Sequence, residues 1–251
     1  MILKKQLQIL YSQKQKDPLS LAALIGANLI PFVGIFFFDW DVRFIVLLYW
    51  IENLIAGFFN ILKMAILRMG QAKDNLGKLF IIPFFCVHYG GFCAVHGLFL
   101  ALFFKIGSGS SPLDIGNEWW GPLVFIQLLV SVIATIWESR PPEMIWAVIG
   151  LTISHGVSFV ENYIVGNEYK TSTLQKLMHQ PYQRIIVMHI AILTGGIFVM
   201  KLDSPLPLMI ILVLLKIFFD VHLHKKSHRI KTQKTKPGKG SPVSENVGIS
   251  D

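Results

Sequence analysis

The 251-residue chain is 53% hydrophobic and only 15% charged, with a mean hydropathy of +0.55. Soluble domains carry about 25% charged residues, so there is too little charge here to clothe a soluble fold of this size. A net charge of +8 with a pI near 9.5 invites nucleic acid as a partner, but the basic residues sit in connections and in the C-terminal tail rather than on a folded basic face, and that class is set aside.

Residues 1–18 place Leu3, Leu7, Leu10 and Tyr11 at helical spacing and stop at Asp17-Pro18, the pattern of a short interfacial helix on the cytoplasmic side. Apolar segments follow at 19–38, 42–67, 79–105, 121–137, 143–165, 182–201 and 206–223. Most match the roughly 20 residues a helix needs to cross about 30 Å of hydrocarbon. The first begins only after four lysines and has no small-x-small site at its end, so it reads as a membrane segment rather than a cleaved leader. Cys86 and Cys93 share one segment seven residues apart, too far along a helix for a disulfide. The connection 106–120 closes on Trp119-Trp120, an interfacial anchor. From residue 225 the chain turns basic and then Gly/Ser/Pro-rich, which reads as a disordered cytoplasmic tail able to meet anionic lipids.

The expected fold is therefore an all-α polytopic bundle over residues 19–224, with six firm crossings and a possible seventh. The distribution of Lys and Arg favours six. If 121–137 does not fully span, 17 basic residues lie on the side of both termini and 4 on the other, which puts the termini in the cytoplasm of a bacterial inner membrane. Making 19–38 the non-spanning segment gives 16 against 5, an equally good split. Segment 121–137 is preferred because it is short and bounded by Gly121-Pro122 and Pro141-Pro142.

An ionisable side chain at the bilayer centre costs about 2.5–3.5 kcal/mol on insertion scales, so those that occur should face inward and meet partners. Tyr49, Glu52, Asn53, Asn60 and Lys63 fall within one arc of about 100° on their helix. His88, Tyr89 and His96 share another arc, opposite Gly90 and Gly97. Ser154, His155, Ser158, Glu161 and Asn162 form a third stripe. His189 is mid-segment, and Lys216, Asp220 and His224 follow at i, i+4 and i+8.

The runs YWIENLIAGFFNILKM (49–64), HYGGFCAVHGLF (88–99), SHGVSFVENY (154–163), EYK (168–170), PYQRIIVMH (181–189) and LKIFFDVHLH (215–224) resemble an uncharacterised family of bacterial polytopic membrane proteins, a domain of unknown function. The resemblance implies a multi-pass membrane protein and no activity. A weaker likeness, in His and Asp residues spread over several helices, is to the alkaline ceramidase and progestin-and-adiponectin-receptor superfamily of membrane hydrolases. The chain departs from that pattern at Asp220 and His224, where a His pair is expected.

Two chemistries are compatible with the stripes. In the first, His88, His96, His155, His189, Asp220 and His224 are candidate ligands of a Zn²⁺ ion in an intramembrane hydrolase acting on a lipid-like substrate. There Glu52 serves as general base, with Lys63 and Lys216 as further catalytic candidates. In the second, Glu52, Lys63, Lys216 and Asp220 form switchable ion pairs of a proton-coupled transporter of small molecules or ions. A third, plainer reading is that the polar groups only specify helix packing. Adjacent Ser154-His155 and the lack of a G-x-S-x-G elbow speak against a serine hydrolase. Arg184 is expected at the interface, as an anchor or a contact to a lipid phosphate.

Overall fold

The computed structural model describes residues 29, 33–37, 39–67, 72–107 and 119–234, excluding the side chains of residues 72–75, 220 and 222–234. The interfacial segment 1–18, most of 19–38, most of the 106–120 connection and residues 235–251 lie outside the described residues. The chain divides into two compact units, residues 28–216 and the terminal residues 1–27 with 217–251.

The described elements are helical. Helix α1 (Val42–Ile66) starts on Asp41, whose carboxylate accepts from the Arg43 backbone N–H at 2.8 Å, an N-cap that satisfies one of the helix's orphan donors. At its far end the Lys78 ammonium donates to the free carbonyls of Ala65 and Leu67. Helix α2 (Ala72–Phe103) is 32 residues long, roughly 48 Å at 1.5 Å per residue. A 3₁₀ turn at Gly121–Leu123 leads into α3 (Val124–Glu138), followed by α4 (Met144–Ser158), which continues as a π-helix over Phe159–Val165. After a 3₁₀ turn at Glu168–Lys170 come α5 (Leu174–His179), α6 (Tyr182–Leu202) and α7 (Leu206–Lys234).

Among the described residues five helices are long and apolar enough to cross a membrane: Val42–Ile66, Leu76–Phe103, Gly121–Glu138, Met144–Val165 and Leu174–Leu202, with a shorter apolar stretch at Leu206–Phe219. Their outward faces are apolar. Leu79, Phe80, Trp146, Val165 and Met200 are each at least 70% exposed, a surface that suits acyl chains and would be a liability in water.

Inter-helix contacts fix the directions. Trp50 donates from Nε1 to the Cys93 carbonyl at 2.8 Å, and Tyr89 donates to the Asn53 carbonyl at 2.9 Å, so α1 and α2 are antiparallel. Gly97 makes this seam possible: a Cβ there would stand 2.5 Å from Trp50 and 2.7 Å from Val132. Helix α3 runs the same way as α2, since Gly91 faces Phe125 and Gly97 faces Val132. Helix α4 runs with α1, because His155 lies beside Glu52 and Tyr163 donates to the Lys63 carbonyl at 2.6 Å. Helix α6 runs with α2, and Gly195, close against the Leu208 backbone, opens the antiparallel α6–α7 hairpin.

Three elements differ from the sequence reading. The π-helix closes i→i+5 bonds, so each residue turns the chain less than in an α-helix. Within the stripe Ser154–Asn162 only His155 is half-buried, Ser154, Ser158, Glu161 and Asn162 are exposed, and Tyr163, the next residue, is fully buried. A helical span also begins at Leu174 rather than at residue 182, in a stretch expected to be a connection, because Leu174 and Leu177 are buried in the core. Lastly, α7 stays helical to Lys234, well past residue 225, where the tail was expected to lose structure.

Candidate functional site

Glu52 is the eleventh residue of α1, about 15 Å from the start of the helix, and it gathers two cations and a histidine from three other helices. Arg184 of α6 donates from Nη1 to Glu52 Oε1 at 2.6 Å, the Lys216 ammonium of α7 stands 3.6 Å from Oε2, and His155 Nε2 of α4 is 3.7 Å from Oε1. The carboxylate is the most enclosed member, its side chain 16% exposed against 43% for Arg184. Lys216 also lies 4.4 Å over the Tyr49 ring. One carboxylate thus holds four helices at one depth. The attraction is strong because the medium is poorly polarisable, and each ion, left alone there, would be costly.

Arg184 can reach this depth because the fifth span is broken. Pro181 has no N–H, so the Leu177 carbonyl four residues earlier loses its helical partner. Asn60 of α1 replaces it, donating from Nδ2 to Leu177 O at 2.7 Å. A break of this kind is tolerated inside a membrane only when the freed backbone group is satisfied by protein or water. Arg184 thus lies ten residues inside the span that begins at Leu174.

Beside the break is a cavity of about 220 Å³ whose walls include Asn60, Lys63, His155, Ser158, Gln180 and Arg184. Its lining contains two permanent cations and a histidine, and no carboxylate. Lys63 does not pair with Glu52, eleven residues away on the same helix. Its ammonium lies 5.6 Å from the Tyr163 ring centroid instead, and no carboxylate comes within 4 Å of it among the described residues.

The histidines expected to share a metal occupy separate stations. His155 belongs to the Glu52 node. His88 Nδ1 and the Tyr182 hydroxyl share a hydrogen bond of 2.7 Å, with the His88 ring stacked on Phe84. His96 Nε2 and His189 Nδ1 share one of 2.9 Å, with His96 buried. The last two pairs are rungs between α2 and α6, seven or eight residues apart and so roughly 10–12 Å along the axes. Among the described residues no three His, Cys, Asp or Glu side chains come together to hold a metal ion, whereas zinc needs three or four ligands within about 2.0–2.3 Å. The side chains of Asp220 and His224 lie outside the described residues. The free Cys86 and Cys93 remain apart, as their spacing requires.

Two residues of the node and its surroundings were not anticipated in these roles, Arg184 and Tyr182. Both follow Pro181, which reads as the start of a helix and hence as the membrane interface. The available signal was charge balance, because a buried Glu52 demands a cation and Arg184 is the one whose fork can bond it directly.

These features define a helical membrane protein with a charged node inside its bundle. The chain belongs to a family of unknown function, DUF6498, whose model matches residues 10–237. No curated protein matches it, and no solved structure does.

Proposed function

We propose that the protein is a proton-coupled transporter of small molecules or ions, with Glu52 as the coupling group. The observation that carries this reading is an enclosed carboxylate bonded by Arg184 and approached by Lys216 and His155, on four helices, next to an open cavity. Intramembrane ionisable groups of this kind mark ion and proton pathways. While Glu52 is ionised it ties α6 and α7 to α1. Protonation removes the charge that both cations bind, so that α6, already broken at Pro181, is released to move against α1. His155 lines the cavity and approaches Glu52, and an imidazole can take a proton on one nitrogen while giving one from the other.

The directions of the described helices support five net crossings from α1 to α7, and a crossing by 19–38, as its sequence leads one to expect, would make six and put both termini on one face. Helices α2 and α3 point the same way, so a chain that returns between them makes 121–138 add no net crossing. The end of α1 that carries Lys63, one of the residues lining the cavity, then lies on the basic, cytoplasmic face.

The test is reconstitution of the full chain in liposomes holding a pH-sensitive dye, with a potassium diffusion potential imposed and a panel of small organic and inorganic ions added in turn. Solute-dependent movement of protons is expected, and Glu52→Gln should abolish it. A panel that moves no protons, or a Glu52→Gln protein that moves them at the parent rate, would sink the proposal.

A further inference from the structure

We infer that the cavity between α1, α4 and the Pro181 break is a binding site for a phosphate-type dianion. The inference deepens the transport reading and rests on it for the movement of the bound anion, whereas binding itself stands on the cavity. Arg184 and Lys63 line the same space from α6 and α1, with His155 and Ser158 opposite them on α4. They offer a guanidinium fork, a point charge, an imidazole and a hydroxyl, which together surround an oxyanion with donors.

Charge narrows the ligand further. Among the described residues the lining holds two cations, Lys63 and Arg184, and no carboxylate, and Glu52 bonds Arg184 from outside that lining. A phosphomonoester, with about −1.5 to −2 near neutral pH, can engage both lining cations, whereas a carboxylate brings a single charge.

Size narrows it again. About 220 Å³ is below the roughly 300–1,000 Å³ of pockets that enclose a whole drug-sized ligand. The space suits a phosphate with a few attached atoms and leaves the rest of a larger ligand outside. Its outer wall is α4, little buried, with Val157 and Val160 about half exposed. A phosphate could therefore arrive as a soluble ester or as the headgroup of an anionic lipid whose chains lie along α4. The shared chemistry is the phosphate.

The experiment uses detergent-purified full-length protein and follows both binding and the thermal midpoint. The ligands are inorganic phosphate, glycerol 3-phosphate and dioleoylphosphatidic acid in mixed micelles, with acetate and chloride as controls. At least one phosphate ligand should bind saturably and raise the midpoint, and acetate and chloride should do neither. Binding by the first two identifies a soluble ester as the source. Binding by phosphatidic acid alone identifies a lipid headgroup. Lys63→Gln should weaken binding roughly ten- to hundredfold, the loss of one charge-assisted contact, and should shrink the rise in midpoint that phosphate produces, read against each variant's own unliganded midpoint. Ser158→Asp, which places a negative charge in the cavity, should abolish binding. Absence of binding by all three phosphates, equal binding of acetate, or unchanged affinity in both variants would overturn the site. Phosphate binding in a protein that moves no protons would remove the transport reading alone, and proton-coupled flux without phosphate binding would remove this inference alone.

Discussion

The polar groups inside this bundle are of two kinds, and the two regions behave differently. Between α2 and α6 the rungs His88–Tyr182 and His96–His189 are pairwise and contain no lysine, arginine or carboxylate, each hydrogen-bonded and flanked by Phe84 or Phe92. Around Glu52 one carboxylate meets an arginine, a lysine and a histidine, so that the partners are unequal in number, and they lie beside a cavity. A satisfied neutral pair fixes how two helices slide against each other and needs nothing more. A carboxylate shared by several cations has alternative partners within reach, which is what a switch requires. Polar residues in a membrane are thus informative by their balance rather than by their number.

The comparison breaks most sharply at Glu52. Glu52→Leu should destabilise the protein by about 3–5 kcal/mol, because it strands Arg184 and Lys216 without a counter-charge, measured by thermal or denaturant unfolding in detergent. Leaving Lys216 uncharged as well, in Glu52→Leu/Lys216→Met, should recover part of that loss. If the double variant is no better than the single, the node is not held by charge.

A smaller effect belongs to the packing seam next to it. Gly97→Ala should cost about 1–3 kcal/mol by forcing Trp50 and Val132 apart, with proton-coupled flux of the folded fraction retained. A stability equal to the parent's would show that the seam is looser than its close contacts imply. Smaller again is the His96–His189 rung, where a double-mutant cycle to Phe should give a coupling of about 0.6–2 kcal/mol and leave flux in place. Loss of flux there would erase the distinction between the two regions.

The smallest expected effect lies outside the membrane spans. Asp41→Ala should remove about 1 kcal/mol through loss of the α1 cap. The Arg43 guanidinium, bonded to both Asp41 oxygens, holds that carboxyl below its ordinary range. A depressed folded value means the contribution is present above the ordinary carboxylate range and fades as pH falls through the lower folded one. The Asp41→Ala difference should therefore shrink in strong acid, and a difference independent of pH would assign the loss to the helix alone.

Much of the site was legible in one dimension. Glu52, Lys216 and His155 were singled out because charge in hydrocarbon has to be accounted for, and all three meet. Arg184 was placed at the interface because Pro181 looks like the first residue of a helix. It meets Glu52 only because Leu174–His179 forms an earlier turn of the same span and Asn60 repairs the gap. The stripe from Ser154 to Asn162 assumes that its polar groups face inward, yet all of them but His155 are exposed, before as well as within the π segment. The histidines carried the right chemistry for a metal, but spacing along a sequence does not say at what depth each helix presents its side chain.

Sequence alone determined that this is a membrane protein of several helices, since hydrophobic length and scarcity of charge are properties of the chain that survive any arrangement. It also gave reason to expect inward-facing ionisable residues, since the bilayer penalises the alternative, and Glu52 meets that expectation while Glu161, near the end of its span, does not. Which of them meet was decided by tertiary structure. Pairing depends on helix direction, on the depth of each residue and on local departures such as the break at Pro181, and each of these is set by contacts between segments far apart in the chain.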